Sequence, residues 1–130
     1  MLPEAEIEHI TEVLKKDERI VAAYLLGSAL GGHMRPDSDL DIALLPYPGH
    51  SISRLDRLFL NGLLGEHSRL EVDVGLLGTD NLVYVREAVF RGKCLFCKDR
   101  AWHDLFMATA LGLYAELQIS RKEVIDAYTA

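Results

Sequence analysis

The spacing of apolar residues changes character several times along the chain, and each change marks an element. In residues 4–16 (EAEIEHITEVLKK), Ile7, Ile10, Val13 and Leu14 recur at helical spacing, with acids early and lysines late, as a helix dipole favours. Residues 20–26 (IVAAYLL) are a continuous apolar run stopped by Gly27, which predicts a buried strand. Residues 28–37 carry polar side chains, two glycines and a proline, enough for a helical turn and a loop at most. A second strand is predicted over 38–45 (SDLDIALL), and PYPGH (46–50) breaks it. From Ser51 to about Glu66 a helix aligns Ile52, Leu55, Phe59 and Leu63, with Ser51 or Ser53 as its cap.

Residues 70–77 (LEVDVGLL) alternate almost without fault, Leu70, Val72, Val74 and Leu76 on one side and Glu71, Asp73 and Gly75 on the other. A helix over 79–91, with Leu82, Val85 and Val89 inward, ends at Gly92. KCLFC (93–97) predicts a fourth strand. Asp99 caps a long helix reaching about Leu117, and Ser120 with Glu123 has the pattern of a capping box for one more. The order α-β-β-α-β-α-β-α-α predicts an α/β (α+β) fold around a small mixed sheet of about four strands flanked by helices. It lacks the G-x-G-x-x-G of a dinucleotide-binding unit.

One stretch carries chemistry. Gly27-Ser28 is followed after ten residues by Asp39-Leu40-Asp41. Residues two apart in a strand share a face, about 6.6 Å from each other. Asp39 and Asp41 therefore point one way and Leu40, Ile42 and Leu44 the other, into the core. Asp73 likewise projects opposite Leu70, Val72, Val74 and Leu76. If the two strands adjoin, three carboxylates converge on one surface. Such a cluster repels itself unless a cation sits among its members, and Mg²⁺ takes a few carboxylates plus substrate phosphates. A glycine at the strand end, with the Ser28 hydroxyl and the amides that follow, suits a triphosphate. Composition alone would produce G-S-x10-D-x-D about two or three times per thousand chains of this kind, so the pattern outweighs a reading of solvated strand carboxylates.

Length and charge narrow the setting. At 130 residues the chain is predicted to be one domain (1–130), with a core over about 5–98 and C-terminal helices over 99–130. Hydrophobic residues at 49% and charged residues at 26% exclude wholesale disorder. A net charge of −6 disfavours a stable nucleic-acid binder, which needs a basic face. No apolar run approaches a membrane span, the acidic N-terminus directs no export, and two cysteines make no disulfide framework; together these predict a cytoplasmic protein.

These residues resemble the DNA polymerase β-type nucleotidyltransferase superfamily, and the short chain resembles its minimal nucleotidyltransferase (MNT) branch. The likeness covers about residues 5–98. It implies a polymerase β-like fold in which Asp39, Asp41 and Asp73 are catalytic and hold Mg²⁺, two ions in all, while Gly27 and Ser28 bind the triphosphate of ATP. It further implies an antitoxin that moves AMP from ATP to a tyrosine hydroxyl of a HEPN-domain ribonuclease toxin. The chain lacks the toxin's own R-x4–6-H signature. The family often reads G-S-R-A-R-G where this chain has Gly27-Ser28-Ala29-Leu30-Gly31-Gly32; Arg35 is the nearest base to replace the missing arginines. Two alternatives stay open: a non-catalytic nucleotide-binding antitoxin that masks its partner by contact, and a small-molecule (antibiotic) nucleotidyltransferase. Self-association is open as well.

Other residues invite blander readings. Cys94 and Cys97, three apart in a strand, are expected on opposite faces as core thiols. The five histidines lack metal-ligand spacing, although His33 lies in the phosphate loop and Glu71 shares the face of Asp73. Arg54, Arg57 and Arg69 are expected in solvent. Trp102, Leu105, Phe106, Ala110, Leu113, Tyr114 and Leu117 form an apolar stripe in which Phe106 and Leu113 are expected to cover the sheet, and Trp102 and Tyr114 either to cover it or to meet a partner.

Overall fold

In the computed structural model, residues 3–26, 39–66, 68 and 71–129 are described. Gly27, Ser28, His33 and Arg35, and with them the expected triphosphate loop, lie outside the described residues. Helix α1 is Glu4–Lys15, strand β1 Ile20–Leu26, β2 Leu40–Pro46, α2 Arg54–Gly65, β3 Val72–Leu76, α3 Leu82–Arg91, β4 Lys93–Cys97 and α4 Arg100–Thr129. The sheet order is β3-β2-β1-β4. The β2–β3 pair is parallel and the other two are antiparallel, so the sheet is mixed as expected.

Both faces of the sheet are covered, and β1 is accordingly buried along its whole length. On one face Leu25, Leu40, Ile42, Leu44, Val72 and Val74 pack against Ile10 and Leu14 of α1 and Leu60 and Leu64 of α2. On the other, Ala22, Tyr24, Leu26, Ala43 and Leu45 meet Val85 and Ala88 of α3 and Met107 and Ala110 of α4. Each fully buried Leu or Ile side chain contributes about 1.5–3 kcal/mol, so these two layers dominate the stability of the fold.

Three expectations are corrected. Helix α2 buries Leu60 and Leu64, whereas Leu55, Phe59 and Leu63 point outward. Two polar anchors fix that rotation. Ser53 and Asp56 form a reciprocal capping box (Asp56 N–H to Ser53 Oγ 3.1 Å, Ser53 N–H to Asp56 Oδ2 2.9 Å), and Asn61 Oδ1 accepts the Val74 N–H at 2.9 Å. An apolar stripe that satisfies neither anchor faces solvent instead.

The second correction concerns the C-terminus. The expected pair of helices is one helix of 30 residues, started by Asp99, whose Oδ1 accepts the Trp102 N–H at 3.0 Å. No glycine or proline follows Gly112, so nothing stops the helix, and Ser120 and Glu123 lie in its interior. Beyond Leu117 every described residue is exposed.

Third, Cys94 and Cys97 share a face. The β1–β4 register shifts between Ala23 and Tyr24, so Cys97 lies opposite Ala22 and Cys94 opposite Tyr24. The additional residue in β4 undoes the simple alternation. Both thiols are free, as expected, but they are not core thiols: Cys94 is exposed and Cys97 half-buried.

Gly92 ends α3 as predicted, but with φ −86°, so it is needed for space and not for a left-handed turn. A side chain there would overlap the Ala88 carbonyl and Leu26.

Candidate active site

The parallel ladder aligns Leu40 with Val72, Asp41 with Asp73, Ile42 with Val74 and Ala43 with Gly75. Even-numbered positions feed the core under α1 and α2, which turns Asp41 and Asp73 together to the opposite face. The two carboxylates are thus direct lateral neighbours on adjacent strands, roughly 4.8 Å apart at the backbone. Asp39 lies just ahead of β2, exposed, on the Asp41 side of the alternation.

Electrostatics ties the three together. The Asp41 carboxyl is held above its ordinary range, first by burial and then by the charges of Asp73 and Asp39. Among the described residues, however, no three His, Cys, Asp or Glu side chains close into a ready ion cage. The donor set is all oxygen and anionic, which is what a hard divalent cation requires, so these residues fit one.

Two clefts flank Asp73. One, of about 620 Å³, is bordered by Asp39, Asn61, Gly65, Ser68, Glu71 and Asp73; Glu71 is exposed there, at the rim. The other, of about 520 Å³, runs past Arg57, Asp73, Gly75, Asp80, Asn81 and Tyr84. Tyr84 of α3 rests on Gly75, where a side chain would overlap its phenol oxygen. Burial and the nearby charges of Asp41 and Asp73 push the Tyr84 hydroxyl up to about 12. Sequence reasoning missed both Tyr84 and Arg57. The signal available was Gly75, a small residue on the carboxylate face of β3 that leaves room for a ring.

Away from the carboxylates, Tyr24 of β1 hydrogen-bonds His103 Nε2, and His103 Nδ1 lies 2.9 Å from Asp104. Trp102 Nε1 points to the Pro46 carbonyl at 3.5 Å, and Arg86 stacks between Phe90 and Tyr114. Trp102 and Phe106 pack against the second core layer, whereas Leu113 of the same stripe is exposed and does not cover the sheet.

Residues 8–101 match the polymerase beta nucleotidyltransferase family. No curated protein sequence matches the chain. Among solved structures, it is similar to a chain of a toxin–antitoxin crystallised with AMP-PNP (26% identity, 99% of this chain and 100% of that one, TM-score 0.73). It is also similar to a chain of a mutant MntA-HpeT toxin-antitoxin with two Asp-to-Glu changes (25% identity, 99% and 100%, TM-score 0.76). A tri-AMPylated HEPN toxin in complex with MNT antitoxin, from Shewanella oneidensis, shares the fold (24% identity, 98% of each chain, TM-score 0.73). The mixed four-stranded sheet between helices is the polymerase β-like fold, and this chain belongs to the polymerase beta nucleotidyltransferase family.

Proposed function

We propose that this protein is a divalent-metal-dependent nucleotidyltransferase that moves AMP from ATP to a hydroxyl of a HEPN-domain toxin, a tyrosine hydroxyl by resemblance, and so acts as its antitoxin. The observation that carries this reading is the lateral pairing of Asp41 with Asp73, with Asp39 beside them. The similarity to a toxin–antitoxin chain over nearly its whole length, in a complex with AMP-PNP, supports both the nucleotide and the kind of partner.

In this reading Asp39, Asp41 and Asp73 hold Mg²⁺, one ion or two. A bound Mg²⁺ would offset the triphosphate charge and acidify the acceptor hydroxyl. Asp73, on the outermost strand, takes the acceptor proton as the oxygen attacks the α-phosphorus and pyrophosphate leaves in line. Gly27 and Ser28 receive the β and γ phosphates, and Arg35 supplies positive charge in place of the arginines that the family often carries and this chain lacks. Positioning and charge compensation account for the rate. One domain over 1–130 does this work, its core within about 5–98, in the cytoplasm where ATP and the partner meet.

The test is transfer of α-labelled ATP onto the partner toxin in the presence of Mg²⁺. Label should appear on the toxin with wild-type protein and vanish with Asp41→Asn. An Asp41→Asn protein that still neutralises the toxin in full, without label, would favour masking by contact.

A further inference from the structure

The sheet order makes the site directional. Leu26, which directly precedes Gly27-Ser28 in sequence, is the β1 partner of Asp41; Asp73 stands on the other side of Asp41, on edge strand β3. An in-line displacement requires the attacking oxygen to arrive opposite the departing pyrophosphate. If the Gly27-Ser28 corner holds the phosphates, the acceptor arrives over the β3 edge.

That edge is furnished mostly with groups already engaged. Asn61 Oδ1 takes the Val74 N–H at 2.9 Å. Asn81 Oδ1 takes the Gly78 N–H at 3.1 Å, and its Nδ2 donates to the Leu76 carbonyl at 2.9 Å. Tyr84 is seated on Gly75. Arg57, one helical turn before Asn61, differs. Among the described residues it is the lone cation bordering the 520 Å³ cleft beside Asp73, and its Nε is buried with no hydrogen-bond partner among them. A buried donor on a charged fork is costly until an anion meets it, and a guanidinium matches a carboxylate in bidentate fashion.

We infer that Arg57 is the acceptor-side specificity residue, binding a carboxylate of the acceptor protein close to its target hydroxyl. This rests on the proposed transfer reaction and adds what the acceptor must carry: an acidic side chain flanking the modified residue. Arg57 is a positioning residue and takes no part in bond making.

Steady-state transfer to the partner toxin, with ATP and toxin varied separately, decides the matter. Arg57→Gln should raise KM for the toxin by about tenfold while KM for ATP stays within about twofold, and Arg57→Lys, which keeps charge without the fork, should fall between. Thermal melts of both variants verify folding. Wild-type transfer with an unchanged toxin KM in Arg57→Gln overturns the inference alone, and so does a parallel rise in KM for ATP. Wild-type protein that transfers nothing overturns the proposed function and this inference with it.

Discussion

Asp41 and Asp73 face each other across the parallel β2–β3 ladder, on the side of the sheet away from the α1–α2 core. Their pairing sets a cost and a use. The cost is the burial of a carboxylate and, after it, like-charge repulsion from Asp73 and Asp39, which together hold the Asp41 carboxyl above its ordinary range. The use is a doubly anionic oxygen surface next to Asp39.

Removing one charge should therefore stabilise the metal-free protein. A raised carboxyl opposes folding once ionised: the folded state holds that proton more tightly than the unfolded chain. Its penalty is absent below the unfolded carboxylate range and complete above the raised folded value. Near neutral pH, Asp41→Asn is expected to gain about 0.5–1 kcal/mol after solvent screening, a rise in Tm of a few degrees. Mg²⁺ should raise the Tm of the wild type and have little effect on the variant. Differential scanning calorimetry at low and neutral pH, with and without Mg²⁺, measures both.

Tyr84 and Gly75 make a second test. Gly75→Ala places a methyl where the phenol oxygen lies, so Tyr84 must swing off the β3 edge at a cost of about 1–2 kcal/mol. Its hydroxyl, pushed up to about 12 in the wild type, should then return toward its ordinary value of 10. Ultraviolet titration of tyrosine should show one additional phenol ionising near pH 10 in the variant. Identical titration curves would place Tyr84 elsewhere.

The turn between α1 and β1 predicts acid sensitivity. Arg19 donates from Nε to Asp17 Oδ1 at 2.9 Å and from Nη2 to Asp17 Oδ2 at 2.7 Å, and its Nη1 reaches Asp56 at 2.9 Å. The Arg19 side-chain bond, ahead of the opposing effect of burial, holds the Asp17 carboxyl below its usual range. A lowered carboxyl contributes stability above the unfolded value that is lost as pH falls through the folded one. Arg19→Ala should cost about 0.5–1 kcal/mol at pH 7 after solvent screening, and much less once the pH has fallen below the lowered folded value of Asp17, as denaturant melts along a descending pH series would report.

Most of the architecture was legible because it follows from periodicity. The run Ile20–Leu26 and the alternation around Asp73 defined β1 and β3, and the shared face of Asp41 and Asp73 followed from pleating once the strands proved to be neighbours. What escaped notice depended on tertiary detail. Helix α2 carries two usable apolar stripes, and the capping box together with the Asn61–Val74 bond, which joins residues thirteen apart, chose between them. Cys94 and Cys97 came to one face through a register shift set by pairing with β1. Arg57 resembled any surface arginine until the α2 rotation carried it to the β3 edge.

The central claim, that Asp41 and Asp73 together hold the metal that serves the nucleotide, is tested most directly by Mn²⁺ binding followed by electron paramagnetic resonance in the presence of a non-hydrolysable ATP analogue. Wild-type protein should immobilise Mn²⁺, and both Asp41→Asn and Asp73→Asn should weaken that binding by at least about tenfold. Equal Mn²⁺ affinity in the wild type and both variants would contradict the account.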